Sequence, residues 1–517
     1  MPLPERNTTW PPETLAPIAE AMREWSAWYE GTPDALATVY SGQHSSTVID
    51  RHTARVGGIL GAFQRMWWGR TPSGPSERVD QAHIPIAADL ARASADLLYA
   101  EAPALTVEEG NDATQERLDG YLDALHPVLA TGAEIGAALG GRYHRVTWDP
   151  ATKSDGAFVT TVDADAAWPE FRWGKLVAVT FWHVLSTDRS DSTVIRHLER
   201  HELGGAGNGL IFHGLYEGTG DSLGQQKPLA ENPTTAPLAA QMAQDGAIAS
   251  GRTPGLCVVY VPNQTPQRRW RQHPIGRHLG RSDFDGIEPL MDNLDETFSS
   301  LLRDIRLGKG RVIVPEFMLD SNGPGRGATF DADRSVYDGL NIPAPEYGTP
   351  NIVVQQFAIR VAEHLDTCRE ITRQIIHTAG YSTDTFGGSV DGTAAVTATE
   401  VHARERATFR TRDRKLRNET PALQSLLTKM LTIDAAVFNV PGLNPSLTIA
   451  VEFSDSAEDS PLTIAQTVQA LSVAKAASID TMIRMQHPEW TGAQVTEERE
   501  QIIADQGTVA DPFAIGR

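Results

Sequence analysis

The sequence predicts an α+β protein in which helical and β-rich stretches follow one another instead of alternating. Three observations support this prediction. Hydrophobic residues recur at helical spacing through most of the first 140 residues, at two-residue spacing from 142 to about 270, and at helical spacing again from 282 onward. Because the β-rich stretch consists of short runs separated by turn residues, we expect its strands to pair antiparallel.

Length, composition and cysteine content limit the classes of protein to consider. The chain has 517 residues, of which 40% are hydrophobic and 21% charged, so roughly two to four domains of ordinary globular composition are expected. No apolar run is long enough to span a bilayer, and the N-terminus does not resemble a secretory signal. Cys257 and Cys368 lie far apart, which favours a reducing cytoplasm and argues against a disulfide framework or a zinc-type cysteine pair.

The formal net charge of −21 argues against a protein that binds nucleic acid tightly, because tight binding requires lysine and arginine to neutralise phosphates. An acidic protein can still act as a conduit for DNA, since a like-charged wall does not retain a passing polyanion. Charge alone is therefore compatible with a channel but does not single one out.

Four helices are predicted before residue 140. The first ends near Tyr29, and the second covers about 53–68. The third follows Pro85, which suits a first helical turn, and the fourth covers about 112–139.

Six strands are predicted between 142 and 270, each rich in β-branched and aromatic residues. The polar stretch 218–248 is predicted to be an excursion with one short helix, and the glycine-rich run 204–209 to be a hairpin turn. The six strands cover Tyr143–Trp148, Phe158–Val162, Leu176–Leu185, Val194–Leu203, Leu210–Glu217 and Leu256–Val261.

A long amphipathic helix is predicted over 282–308, with one continuous apolar stripe. Ser282 with Asp285 can cap its start, although Pro289 allows a start nearer 288. A small β-unit follows this helix, and a second helix covers about 354–378.

The remainder of the chain begins with a stretch at 380–396 that contains four glycines and no periodicity, and is predicted to be a flexible loop. Thr397–Glu400 matches a capping box and opens a long helix that is interrupted by Pro421 and ends near Asp434. A β-segment over 447–453 and three helices between 462 and 505 follow.

Signals for an enzyme are poor. The chain contains neither a Gly-x-x-x-x-Gly-Lys-Ser/Thr phosphate loop nor a Gly-x-Ser-x-Gly nucleophile elbow. The strongest candidate for a metal site is formed by His197, His201 and Glu202 with His213 on the next predicted strand, but histidines on a half-exposed sheet are usually structural or solvated. We therefore predict no catalytic residue, no metal and no cofactor.

Four blocks in order, at His83–Pro103, Gly280–Lys309, Thr397–Val401 and Ser478–Thr491, carry a resemblance to a known family. Together they resemble the portal proteins of tailed double-stranded DNA bacteriophages, especially siphophages that infect actinobacteria. Each motif alone has little specificity. The resemblance depends on the ordered set, which spans residues 83–505.

The resemblance implies a portal fold made of a wing, a stem, a clip and a crown. In it, a tunnel loop precedes a long kinked helix that returns to the wing. The corresponding ranges are wing 1–281 (helical, then β-rich from about 142), stem helices 282–308 and 354–379, small α/β clip 309–353, tunnel loop 380–396, long kinked helix 397–455 and helical crown 456–517.

The same resemblance implies a non-enzymatic subunit, twelve per virion, of a ring at one capsid vertex through which double-stranded DNA enters and leaves without sequence specificity. The implied partners are the terminase large subunit, a head-tail adaptor, and the major capsid and scaffold proteins. The ring would be assembled in the cytoplasm of the bacterial host, without a membrane. Two alternatives remain: another minor head protein without a channel, and a metal-dependent hydrolase built on the β-rich domain.

The polar face of the helix at 282–308 is mostly acidic and also carries Asp283. We expect part of this face to line the channel, where it would repel phosphates, although it can equally be the solvated face of an ordinary helix. The apolar stripe can supply a head-to-tail contact between subunits. The channel-lining candidates are Asp285, Glu288, Asp292, Asp295, Glu296 and Asp304, and the apolar interface candidates are Leu294, Phe298 and Leu301.

The segment 402–417 is strongly basic, and Arg404, Arg410, Arg414 and Arg417 are predicted to lie at a subunit interface. A solvated helix held by local ion pairs and direct contact with DNA remain as alternatives. The tunnel-loop candidates lack basic residues, so they would touch DNA by shape alone, or else form an ordinary inter-helix loop. These candidates are Thr383, Asp384, Thr385, Phe386, Gly387, Gly388, Ser389, Val390 and Asp391.

Overall fold

A computed structural model describes most of the chain. The helix predicted over 53–68 and most of the predicted clip lie outside the described residues. The described residues are 3–37, 39, 82–108, 110–149, 152–153, 155–188, 192–205, 207–239, 242, 247–249, 255–307, 311–313, 320–321, 328–329, 353–355, 360–387, 398–453, 461–474, 476–487 and 492–507.

The architecture is α+β, as the sequence predicts. The helices are α1 (Ala16–Glu30), α2 (Ile86–Tyr99), α3 (Asp112–Leu139), α4 (Glu288–Leu307), α5 (Val361–Ala379), α6 (Ala398–Ala436), α7 (Pro461–Ala474), α8 (Ile479–Gln486) and α9 (Gly492–Gly507), with one further turn at Ala236–Ala239. The strands are β1 (Ala104–Val107), β2 (Gly141–Thr147), β3 (Phe158–Asp163), β4 (Ala167–Arg172), β5 (Lys175–Asp188), β6 (Thr193–Leu203), β7 (Gly209–Thr219), β8 (Ser222–Lys227), β9 (Ala247–Ala249), β10 (Val258–Pro262), β11 (Arg311–Ile313), β12 (Asp320–Ser321), β13 (Ala328–Thr329), β14 (Val353–Gln355) and β15 (Ile449–Glu452).

The helices α1, α2 and α3 pack together, and α3 lies against an antiparallel sheet of order β10-β2-β3. The start of α3 is capped by Asn111, whose side chain accepts a hydrogen bond from the backbone N–H of Thr114 at 2.8 Å. Its end is set by Gly140, whose φ of 86° is readily adopted only by glycine. Trp25, Trp28 and other large apolar side chains form the core of this region.

A larger antiparallel sheet has the order β4-β5-β6-β7-β8, with β9 also pairing with β7. Three of its strands, β4, β8 and β9, are not predicted by the sequence, and β8 and the start of β9 lie in the stretch 218–248 that was predicted to be an excursion with one short helix. Pro169 lies within β4, and proline is tolerated in a sheet mainly at an edge, which is where β4 lies. The strand β8 is short and polar and contains one buried apolar residue, Leu223, so it has no hydrophobic alternation to detect.

The N-terminal segment covers one face of the larger sheet. The ring of Trp10 packs edge-on against Trp182 and Trp168, with ring centroids 5.2 and 6.1 Å apart. The Tyr216 hydroxyl donates a hydrogen bond to the Pro4 carbonyl at 2.8 Å. The opposite face of the sheet contributes Phe181 to the main core.

In the second half of the chain, α4 and α5 pack against each other, while α6 packs on β10 and on β15, which pairs with β1. Four short strands lie in the chain between α4 and α5. Of these, β11 pairs with β14, and β12 pairs with β13. Of the helices in the described part of the chain, none is long and apolar enough to cross a membrane.

Three predicted boundaries in this half are corrected by the structure. The helix α4 begins at Glu288, which is the later start that Pro289 allowed, and not at 282, because the residues before it form turns. The second begins at Val361, since 353–355 form a strand paired with β11. The third, α6, continues through Pro421, which lies on the exposed side of the helix where water can reach the carbonyl that loses its partner.

We predict that Trp10→Ala lowers the free energy of unfolding of the β-rich region by about 3 to 5 kcal/mol, because a buried tryptophan is replaced by a cavity. Urea unfolding followed by circular dichroism measures this. The matched control is Trp173→Ala, since Trp173 is 96% exposed at the turn between β4 and β5 and its loss should change stability by less than about 0.5 kcal/mol. Equal losses in the two variants would contradict the packing of the N-terminal segment.

Candidate channel and subunit-interface site

The apolar stripe of α4 is covered by the same chain. Leu294 is fully buried in a core that also contains Ile375 of α5 and Trp28 of α1, and Leu301 is buried as well. Phe298 is partly buried against this core. The prediction that Leu294 and Leu301 lie at a subunit interface is therefore wrong, because an amphipathic stripe does not reveal which chain covers it.

Two predicted channel-lining residues of α4, Glu288 and Asp295, point into the protein and are buried. One carboxylate oxygen of Glu288 accepts a hydrogen bond from Trp25 Nε1 at 2.8 Å, and the other accepts one from the Gly286 N–H at 2.7 Å. The prediction that Glu288 and Asp295 line a channel is therefore wrong, because both carboxylates are buried and already have partners within the chain. For Asp295 the partners are the Ile84 N–H at 2.8 Å and His83 Nδ1 at 2.8 Å.

The other acidic candidates remain near the surface. Glu296 is exposed, and Asp285 and Asp292 are half-buried. Asp304 lies 3.2 Å from His364 Nε2 and 4.0 Å from the Arg360 guanidinium, so its charge is partly offset. The acidic surface on and just before α4 is therefore smaller than the sequence suggests, and comprises the exposed Glu296 with the half-buried Asp285, Asp292 and Asp304.

A buried carboxylate, Asp283, joins four segments at the base of the hairpin that α4 and α5 form. One of its oxygens accepts hydrogen bonds from Asn263 Nδ2 at 2.8 Å and Gln264 Nε2 at 2.7 Å. The other accepts from the Tyr381 hydroxyl and from Lys415 Nζ, both at 2.6 Å. These donors follow β10, follow α5 and lie within α6, so one carboxylate holds three elements beside the start of α4.

Burial and the charge of Asp283 both shift the pKa values of its partners Tyr381 and Lys415. Burial raises the pKa of the Tyr381 hydroxyl well above its ordinary value, and the neighbouring charge of Asp283 adds to this. Burial lowers the pKa of Lys415, while Asp283 acts in the opposite direction. Lys415 Nζ also donates to Ser94 Oγ at 2.5 Å, which ties α6 to α2. In the sequence Asp283 is one of several acids on a predicted polar helix face, and no pattern indicates this hub, because its partners are up to 132 residues away.

A second buried ion pair attaches the same face of α6 to β2. An Arg142 Nη atom donates to Glu419 at 2.8 Å, and the Tyr99 hydroxyl donates to the same carboxylate oxygen at 3.0 Å. The arginine passes close to Gly132 of α3, where a Cβ atom would lie 3.0 Å from Arg142 Cδ. Burial, followed by the charge of Arg142, lowers the pKa of His144 well below its ordinary value. The inner face of α6 is thus held by two buried charge pairs.

The basic residues of α6 divide between its two faces. Arg412 and Lys415 are buried, and Arg412 Nε donates to the Leu97 carbonyl at 2.9 Å. Arg410, Arg414 and Arg417 are exposed. The side chain of Arg404 lies outside the described residues. Three of the predicted interface arginines are therefore accessible to a partner.

The predicted tunnel loop is anchored over its first part. Tyr381 is buried, and Thr408 of α6 accepts a hydrogen bond from the Ser382 N–H at 2.8 Å and lies 2.9 Å from Thr385 Oγ1. Residues Thr383–Phe386 form a short 3₁₀ turn that ends at Gly387. The sequence predicted no regular structure here, whereas 383–386 form an anchored turn, and the flexibility of the segment stays a prediction. Gly388, Ser389, Val390 and Asp391 lie outside the described residues.

The structure separates the four residues suggested as a metal site. His197 Nε2 and His213 Nδ1 lie 3.1 Å apart with nearly parallel rings. His201 instead contacts Glu199 at 2.6 Å, and Glu202 accepts a hydrogen bond from Arg200 on the other face of the sheet. In the described part of the chain, no group of three His, Cys, Asp or Glu residues is placed to hold a metal ion. Burial lowers the pKa of both His197 and His213 to about 4.

Residues 260–510 match the family model described as phage portal protein, SPP1 Gp6-like. The match supports the assignment of the chain to the phage portal protein family. The match begins near the end of β10 and extends to α9, so it includes α4, α5, the anchored loop and α6. No curated protein matches the chain.

The Lys415→Met variant tests the Asp283 hub. We expect it to lower the free energy of unfolding by about 3 to 5 kcal/mol, because a buried carboxylate is left without its counter-charge. Lys175→Met, at an exposed lysine of β5, is the matched control and should change stability by less than about 0.5 kcal/mol. Adding Asp283→Asn to Lys415→Met should recover part of the loss in urea unfolding. A Lys415→Met protein as stable as wild type would show that the pair is not buried.

The histidine pair predicts a pH dependence of stability. In the unfolded chain His197 and His213 titrate with a pKa of about 6.5, whereas in the folded chain their pKa is about 4, so the unfolded state binds more protons between these values. Stability should therefore be complete above about pH 6.5 and fall as the pH approaches about 4.

The comparison of wild type with the double variant His197→Gln, His213→Gln isolates this contribution. Thermal unfolding midpoints should drop between about pH 7 and 4.5 in wild type, and should drop less in the variant, over a range in which most carboxylates remain ionised. Identical slopes in the two proteins would show that the histidine pair does not stay neutral in the fold.

Proposed function

We propose that the chain is the subunit of a ring that forms a channel for double-stranded DNA at one vertex of a phage capsid. The observation that carries this proposal is the portal family match over 260–510, which covers the ordered set of helix, small β-unit, helix, loop and long helix. The role is structural, with the energy for DNA movement supplied by a separate ATP-driven terminase.

In this proposal the hairpin of α4 and α5 is the stem, and the strands β11–β14 belong to the clip. Residues 1–281 form the wing, to which α6 returns, and α7, α8 and α9 belong to the crown. The segment 380–396 is the tunnel loop, held at its base by Tyr381. The hydrogen bonds of Tyr381 and Thr385 support a loop that starts from a fixed position beside α6.

The surface of the hairpin suits a wall that does not retain DNA. Asp285, Asp292, Glu296 and Asp304 are its remaining channel-lining candidates. On α5 the exposed Arg369 and Arg373 are matched by Asp366 and Glu370 at 2.9 and 2.7 Å, so they offer little unpaired positive charge to phosphates. A weakly acidic wall in which these α5 arginines are paired repels the duplex and lets it slide.

The proposed assembly contains twelve subunits in the virion. It would act in head assembly with the major capsid and scaffold proteins, dock the terminase large subunit during packaging, and later bind a head-tail adaptor at the clip. DNA would pass in both directions, in packaging and in ejection. Assembly would occur in the cytoplasm of the bacterial host.

Negative-stain microscopy of the purified chain tests the proposal directly. We expect closed rings with a central hole, since head-to-tail contacts that close produce a ring. Mass photometry of the same sample should show one dominant high-mass species. Monomers or open filaments at all protein concentrations would contradict the channel and would favour a minor head protein without one.

A further inference from the structure

The exposed face of α6 carries a row of four arginines, Arg406, Arg410, Arg414 and Arg417, here called the arginine stripe. Steps of four and three residues place them along one side of the helix. The side is fixed, because Arg412, Lys415 and Glu419 are buried on the inner face. Among the residues that the structure describes, no acid forms an ion pair with any of the four.

The neighbourhood of the arginine stripe adds positive charge. Burial lowers the pKa of Arg281, the charges of Arg268 and Arg414 lower it further, and Asp283 and Asp285 act in the opposite direction. On α6 itself the exposed Asp413 lies on the same side as the stripe, so four arginines face one acid there. Like charges at helical spacing repel one another and do not stabilise the subunit by themselves. The stripe is therefore a surface that gains most from an anionic partner outside the subunit.

A second row of like charges lies on α3, where Asp112, Glu116, Asp119 and Asp123 are all exposed and form what we call the acidic stripe. Steps of four, three and four residues again place them on one side of a helix. Within the described ranges none of them forms an ion pair, and the one side-chain contact is from Gln115 Nε2 to Asp119 at 2.8 Å. The nearby Arg117 is committed to Asp434.

The two stripes match in length but cannot meet within one subunit. Each spans about 16 Å along its helix. The contact of Arg117 with Asp434 places α3 beside the C-terminal end of α6. The arginine stripe lies about 25 to 40 Å from that end along the same helix. The subunit thus presents two separate surfaces of opposite charge and similar size.

We propose that the arginine stripe of one subunit binds the acidic stripe of the next, as one head-to-tail contact of the ring. This inference rests on the proposed ring and names the surfaces that close it. A heterologous contact needs two different patches on each subunit, and the two stripes meet that requirement. DNA as the partner of the arginine stripe would leave the acidic stripe unexplained, whereas a second copy of the chain accounts for both.

The contact also constrains the orientation of α6. Two patches that meet across a ring interface lie at the same height and the same distance from the ring axis. Because the stripes are displaced from each other along α6, this helix must run around the ring and not along the channel.

Charge reversal tests the pairing. We expect Arg410→Glu with Arg414→Glu, and separately Glu116→Lys with Asp119→Lys, each to raise the protein concentration needed for half-assembly at least about tenfold, because like charges would then face each other. The protein carrying all four changes restores opposite charges and should assemble within about threefold of wild type. Mass photometry over a dilution series gives these concentrations, and circular dichroism confirms the fold.

Arg23→Glu, an exposed reversal on α1, is the matched control and should assemble like wild type. Glu116→Cys with Arg410→Cys should form a disulfide ladder between subunits on mild oxidation, with little background because the two native cysteines are buried.

Rings that form unchanged in both reversal variants would overturn the pairing and leave the proposed ring intact. If the Arg410→Glu, Arg414→Glu variant assembled normally but no longer retained DNA, the partner of the arginine stripe would be DNA. That result would also overturn the pairing of the two stripes. A wild-type chain that never forms rings would overturn both proposals.

Discussion

The junction of the α4–α5 hairpin with the rest of the chain depends on satisfying one buried carboxylate. Asp283 is nearly inaccessible to water, and a buried charge is tolerated only when it is paired and hydrogen-bonded. Its four donors come from Asn263, Gln264, Tyr381 and Lys415. Because losing any donor leaves the charge less well solvated, the segments that carry them have one favourable arrangement.

The same requirement determines the rotation of α6. Lys415 and Glu419 are one turn apart and each makes a buried ion pair, with Asp283 and with Arg142 respectively. A helix held at two adjacent turns cannot rotate about its axis without breaking both pairs. The outward direction of Arg410 and Arg414 therefore follows from contacts on the opposite side, and an exposed functional surface is set by buried chemistry.

The anchored base of the loop after α5 shares these contacts. Tyr381 donates to the carboxylate that also holds Lys415, and Thr408 accepts a hydrogen bond from Ser382. A displacement of the loop base would therefore disturb the hydrogen bonding of both α6 and the start of α4. In a portal, this arrangement would couple the segment nearest the DNA to the elements that join the wing and the stem.

The type of most elements could be predicted from the sequence alone. Helix α3 was predicted over its full length because its signals are local, and the structure adds a cap at Asn111 and a stop at Gly140 directly beside it. The strands β5, β6 and β7 were predicted because their alternation is long and regular. The edge strands β4 and β8 were missed, since proline or a polar composition removes that alternation.

Which side chains of these elements reach the solvent was decided only by the tertiary structure. The spacing of Glu288 and Asp295 is that of a polar helix face, yet both are buried against residues more than two hundred positions earlier, such as Trp25 and Ile84. The hub at Asp283 is hidden from sequence patterns for the same reason. Helix and strand signals depend on neighbours a few residues apart, whereas the environment of a charge depends on chain segments brought together by folding.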